Sequence, residues 1–260
     1  MRASGSTRER LGALLTGALL VLAGAGGAEA FDSPQSAVEP PAAPAATPSA
    51  ARAPAGDLLA QSRAPSRREG GNAPFDYYVL ALSWSPTYCA DEAQNPDSEP
   101  QCAPRRRYGF VVHGLWPQYE KSWPEFCGDP GWVQAETLAS VDGIVPSRRL
   151  AVHQWRKHGT CSGLDAEAYF ATLREAWGKV RINEIFGRLD RELNVAPKVV
   201  EEAFLEANPA FVADGVTVEC RGGMLREVRI CFDRNLEPRA CAPDARRDCS
   251  ARSIRLPPLR

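Results

Sequence analysis

From Phe75 onward the chain alternates between apolar runs with strand character and amphipathic stretches with helical spacing. The run "FDYYVLALSWSP" (75–86) is rich in β-formers and ends at Ser85-Pro86, which predicts a strand closed by a turn. "RRYGFVVHGLWP" (106–117) predicts a second strand, broken at Gly114. "DAEAYFATLREAWGKV" (165–180) repeats its apolar residues at helical spacing, with Asp165 placed as an N-cap. "PKVVEEAFLEANPAF" (197–211) predicts another helix, opened by Pro197 and closed by Asn208-Pro209. "VTVEC" and "MLREVRICFD" read as two strands around a Gly-Gly turn at 222–223. No internal repeat and no regular βαβ alternation is present. The order predicts an α+β domain: an antiparallel β-sheet core with packed helices.

The N-terminal third has a different texture. Arg2, Arg8 and Arg10 precede the apolar run "LGALLTGALLVLAGAGG", which leads to "AEA" at 28–30. This is the pattern of a secretory signal peptide, assigned to 1–30, and the glycine-thinned run is barely long enough for a membrane anchor. Residues 31–74 are dominated by proline and alanine and are expected to be a disordered linker, because such a segment buries too little apolar surface to offset its ordering entropy. The folded domain is expected over 75–260. Eight cysteines, all after residue 88, imply up to four disulfides in an oxidising compartment, with 105 possible pairings. The formal net charge of −1 supplies no bulk basic field toward nucleic acid or membrane.

The chain has three histidines, and all lie in two dense motifs: His113 in "FVVHGLWPQ", His153 and His158 in "HQWRKHGTC". On a helix turning ~100° per residue, His153, Gln154, Lys157 and His158 share an arc of ~140°. Trp155 then points into the core. Two imidazoles, an ammonium and an amide make a pocket for an anion, with groups that move protons near neutral pH. The i, i+5 histidine spacing, the intervening lysine and the absence of C-x-x-C argue against zinc. No G-x-S-x-G motif is present, and Cys161 belongs to an even cysteine set expected to be bridged, which argues against covalent catalysis. Metal-free acid–base chemistry on a phosphate remains. RNA carries its own nucleophile, the 2′-OH that DNA lacks.

The segments "HGLWPQ" and "HQWRKHGTC" resemble the two active-site segments of the ribonuclease T2 family. "YYVLALSWSPTYC" resembles that family's first strand, and "ANPAF" with "VTVECRGGMLREVRICFDRNLEPRAC" its C-terminal part, as in bacterial members. The resemblance implies a disulfide-stapled α+β fold and a secreted or periplasmic endoribonuclease without a cofactor. It also implies cleavage of single-stranded RNA, of any base, through a 2′,3′-cyclic phosphate to a 3′-phosphate. His113 resembles the general acid, His158 the general base, His153 the phosphate-holding histidine and Lys157 the charge stabiliser. Trp116 resembles a base-stacking aromatic. Gln118 and Tyr119 join it as candidate substrate-binding residues, Trp123 is a further candidate stacker, and Trp84 is expected in the core. Gln154 departs from the pattern, which has Glu there; the alternative reading is a catalytically weakened member that binds RNA or another partner. The family pattern implies the bridges Cys89–Cys102, Cys127–Cys161, Cys220–Cys249 and Cys231–Cys241. No metal, no DNA substrate, no stable membrane association and a monomer complete the expectation.

Overall fold

A computed structural model of the protein describes residues 75–92, 95, 99–104 and 106–259. The expected signal peptide (1–30) and linker (31–74) lie outside the described residues. Phe75, the first described residue, is buried.

Six strands of the described residues form one sheet: β1 (Tyr77–Trp84), β2 (Phe110–Gln118), β3 (Leu193–Val195), β4 (Val216–Arg221), β5 (Met224–Phe232) and β6 (Ile254–Leu256). The order is β2-β1-β5-β6-β3, and β4 also pairs with β5. All pairings are antiparallel except a single parallel contact between β5 and β6. β1 reads as a continuous apolar run because it is central and buried on both faces. Tyr78, Leu80, Leu82 and Trp84 enter the main core, whereas Tyr77 and Val79 enter a smaller cluster on the opposite face with Cys231 and Cys241.

Among the described residues seven helices accompany the sheet: α1 (Ser85–Asp91), α2 (Glu99–Cys102), α3 (Ala135–Ala139), α4 (Arg148–Lys157), α5 (Ala166–Gly178), α6 (Glu184–Gly187) and α7 (Pro197–Ala207). α5 buries Tyr169, Phe170, Leu173 and Ala176, and α7 buries Val200 and Phe204, in the main core. Each large apolar side chain removed from water in this way contributes roughly 1.5–3 kcal/mol. The expected punctuation is present. Asp165 accepts the N–H of Ala168 at 2.8 Å, Pro197 stands in the first turn of α7, and the Asn208 amide donates to the Phe204 carbonyl at that helix's end. Trp84 is fully buried, its indole N–H donating to the Pro257 carbonyl.

Four disulfides cross-link the fold: Cys89–Cys102, Cys127–Cys161, Cys220–Cys249 and Cys231–Cys241, the four pairs that the resemblance implies. Among the described residues no helix is long and apolar enough to cross a membrane.

Candidate active site

The second strand differs from its sequence expectation. It does not break at Gly114 but runs on to Gln118, carrying one extra residue. Ala81 of β1 faces Gly114, while the next residue, Leu82, faces Val112. His113 is therefore the bulged residue. In a regular strand, residues three apart point to opposite faces; a bulge removes that inversion. Val112 and Leu115 thus both enter the main core, while His113 and Trp116 emerge together on the other face, ring centroids 5.3 Å apart.

α4 lies along the edge formed by β2. Ser147 caps it by accepting the N–H of Leu150 at 3.1 Å. Ala151 and Trp155 turn into the core, as the helical spacing predicts, and His153, Gln154 and Lys157 look toward the site. His158 is the C-cap, after which the chain tightens into a 3₁₀ turn at Gly159–Ser162. Glycine is required at 159, because a Cβ would lie 2.4 Å from the Trp155 ring.

Gln154 is buried, and its Oε1 accepts the indole N–H of Trp116 at 2.8 Å. An indole nitrogen only donates, so the oxygen must face it, and the amide NH₂ is left on the side of the cavity that Gln154 lines. The contact passes directly over Gly114, where a Cβ would come within 2.3 Å of Gln154 Oε1 and 2.5 Å of Trp116 Nε1. The glycine of "HGLW" thus lets helix and strand approach.

Two cavities meet at His113 and His153. One, of about 340 Å³, is also lined by Trp116, Gln118, Trp123, Glu125, Gln154, Lys157, His158 and Arg229. The other, of about 400 Å³, is lined by Ser83, Thr87, Asn95, Gln101, Arg149, Arg226 and Glu227 among others. The five expected catalytic residues, His113, His153, Gln154, Lys157 and His158, are thereby brought together, with Trp116 and Gln118. Tyr119 lines neither cavity.

Sequence reasoning missed three charged residues here. Glu125 pairs with Lys157 at 3.1 Å and accepts the indole N–H of Trp123. Glu227 reaches His113 Nδ1 at 2.5 Å. Arg229 holds Glu227 at 3.1 Å and Glu219 at 2.5 Å, and its guanidinium lies 5.2 Å from the Trp116 ring. The signal for the last two was the "EVR" of β5, a carboxylate and a guanidinium two residues apart on one face of a strand.

Electrostatics separate the titrating groups. Burial, then the charge of Lys157, brings His158 down to about 3, against a smaller upward pull from Glu125. Among the described residues its buried Nδ1 has no hydrogen-bond partner, which further disfavours an imidazolium whose two nitrogens both donate. His158 is therefore a neutral imidazole at ordinary pH. His153 is also lowered, by burial and by Lys157. Burial pushes Glu227 upward, but the hydrogen bond and charge of His113 and the charge of Arg229 prevail and hold it at about 2. Among the described residues no group of three or more His, Cys, Asp or Glu side chains could hold a metal ion.

The chain is similar to known ribonucleases. A ribonuclease of Aeromonas hydrophila is 46% identical over 185 residues, covering 64% of this chain and 75% of that one. Ribonuclease I of Escherichia coli (strain K12) is 28% identical over 149 residues, covering 42% and 53%. Among solved structures, RNase NT in complex with 5′-AMP has a TM-score of 0.58 at 23% identity, covering 71% of this chain and 99% of that one. An RNase-related protein from Calystegia sepium has a TM-score of 0.59 at 23% identity, covering 72% and 98%. These two likenesses establish the shared fold. Residues 75–241, well over half of the chain, match the sequence model of the ribonuclease T2 family, and the protein belongs to that family as an endoribonuclease.

Proposed function

We propose that the protein cleaves single-stranded RNA without a metal, by transfer of the phosphate to the neighbouring 2′-oxygen. The observation that carries this reading is the pair His113 and His158 on one cavity, each with its ring centroid 5.3 Å from that of Trp116. His158, neutral, takes the proton of the 2′-OH. The 2′-oxygen attacks phosphorus, the P–O5′ bond breaks, and His113 gives its proton to the departing 5′-oxygen. Lys157 and His153 stabilise the added negative charge on the phosphorane, and the Gln154 amide donates to one of its oxygens. Water then opens the 2′,3′-cyclic phosphate with the histidine roles reversed, leaving a 3′-phosphate. Trp116, Gln118 and Trp123 line the same cavity, and an aromatic that stacks on a base does so whatever the base, which supports broad specificity. RNase NT accommodates 5′-AMP on the same fold, in keeping with a nucleotide at this site. Residues 1–30 are proposed to direct export and 75–260 to form the catalytic domain, in keeping with the four disulfides. The N-terminus of exported protein should then follow Ala30.

The test is digestion of RNA and of single-stranded DNA in EDTA, with products identified by mass. RNA should be cut to 2′,3′-cyclic and then 3′-phosphate ends, and DNA should be left whole. Loss of activity in EDTA, or cutting of DNA, would overturn the mechanism. His113→Ala and His158→Ala should each lower kcat by on the order of 10²- to 10⁴-fold with the fold retained.

A further inference from the structure

We propose that Glu227 is a positioning residue for the reaction: it fixes the ring orientation and tautomer of His113, and so decides which nitrogen delivers the proton to the leaving group. The inference rests on the reading of His113 as general acid and extends it to a residue far away in sequence.

β2 and β5 flank β1 on opposite sides, which puts them roughly 9–10 Å apart. Two side chains meet across that gap only if the strand between presents small residues. It does: Ala81 lies between Gly114 and Arg229, and Ser83 between Val111 and Glu227. Across this low strip Glu227 Oε1 reaches His113 Nδ1 at 2.5 Å, with the glutamate side chain 4% exposed. The second carboxylate oxygen, Oε2, is held by Arg229 through Nε at 3.3 Å and Nη2 at 3.1 Å. Arg229 is itself anchored by Glu219 and by the Trp116 ring. Neutralising Arg229 would require only one of the two oxygens; the other is committed to the imidazole.

An ionised carboxylate only accepts, so Nδ1 must carry a proton in both protonation states of His113. Nε2 is then the nitrogen on the cavity side. It carries the proton that passes to the 5′-oxygen. Once it has done so, the remaining tautomer, Nδ1–H, presents an Nε2 lone pair ready to take a proton from the water that opens the cyclic phosphate. Glu227 gains and loses no proton in either step.

Glu227→Gln reverses this logic. Arg229 only donates, so the amide oxygen must face it, and the NH₂ is turned toward Nδ1. His113 is then driven to the opposite tautomer. The diagnostic is the leaving group, because 4-nitrophenolate departs without protonation and a nucleoside 5′-oxygen does not. Steady-state kinetics would be measured on a dinucleoside phosphate and on uridine 3′-(4-nitrophenyl phosphate), with His113→Ala as reference. His113→Ala should lose its large factor on the dinucleoside phosphate and little on the aryl ester. Glu227→Gln should follow the same pattern: kcat down about 10²-fold on the dinucleoside phosphate with KM little changed, and less than about threefold on the aryl ester. Glu227→Asp should recover part of the loss. If His113→Ala loses equally on both substrates, the acid assignment fails and the inference with it. If His113→Ala discriminates and Glu227→Gln does not, the inference alone fails. Should Glu227→Gln not fold, the ¹⁵N spectrum of the three imidazoles in the unaltered protein decides: neutral His113 with its proton on Nδ1 is expected, and a proton on Nε2 overturns the proposal.

Discussion

Gln154 shows what a residue's identity reveals and what it conceals. The sequence placed it on the face of α4 that carries His153, Lys157 and His158, and the structure keeps it there. What spacing does not disclose is that its oxygen is spent on the Trp116 indole, 38 residues earlier in the chain, so that only the amide NH₂ is left to donate elsewhere. A glutamate at 154 would likewise use one oxygen on Trp116 and turn the other, negatively charged, toward the cavity. His158 is faced by Lys157, Glu125, His113 and His153, of which only Glu125 favours its protonated form. A second carboxylate adds to that pull, so the base is lost to protonation at a higher pH. Gln154→Glu is therefore expected to move the acidic limb of kcat/KM upward, in a pH–rate series on a dinucleoside phosphate. Superimposable profiles would mean that position 154 does not couple to the histidines.

Elements differ in how far local chemistry marks them in the sequence. Helices α5 and α7 and the β4–β5 hairpin announce themselves through local chemistry, namely an N-cap, an N-terminal proline and a Gly-Gly turn. The bulge in β2 has no such signature. A glycine inside a strand pattern reads as a break, whereas the strand continues through Gly114, which leaves room for the Gln154 and Trp116 side chains, and the irregularity lies in His113 beside it. Gly114→Ala should push α4 from β2, break the Trp116–Gln154 hydrogen bond and lower kcat/KM by on the order of 10²-fold, with melting measured alongside to separate this from unfolding. The loop after β2 is fastened differently. Cys127–Cys161 closes 34 residues and joins the segment bearing Trp123 and Glu125 to the 3₁₀ turn that follows α4. Loop closure of that length is worth roughly 3 to 4 kcal/mol. The double variant Cys127→Ser, Cys161→Ser should lose about that much in denaturant unfolding and should weaken substrate binding as Glu125 leaves Lys157. Unchanged stability would show that the bridge constrains nothing the fold does not already hold.

At the scale of the molecule, the site is assembled from contacts far apart in sequence. The histidine motifs were legible because their polar and aromatic residues are dense and local. Glu227 was not, because it meets His113 across 114 residues and two strand pairings, and only the sheet register brings them together. The same assembly sets the response of the whole fold to acid. His158 is held at about 3 in the folded protein, below its ordinary 6.5. Between those values the unfolded chain binds a proton that the fold refuses, so stability falls as pH is lowered from about 6.5 and levels off near 3. His153, lowered in the same direction, adds to this slope. Glu227 is held at about 2, below its ordinary 4.5, so the stability it contributes is complete above 4.5 and is lost as pH falls from there toward 2. The two windows differ, and the upper one, from about 6.5 to 4.5, is dominated by His158. Melting temperatures measured at intervals from pH 7 to 3 should therefore decline throughout. His158→Asn should remove most of the decline above pH 5 and leave, below 4.5, the part of the loss that Glu227 contributes. A variant whose slope above pH 5 matched the unaltered protein would show that His158 takes up its proton as readily in the fold as in the unfolded chain, and would remove the basis for treating it as the neutral base.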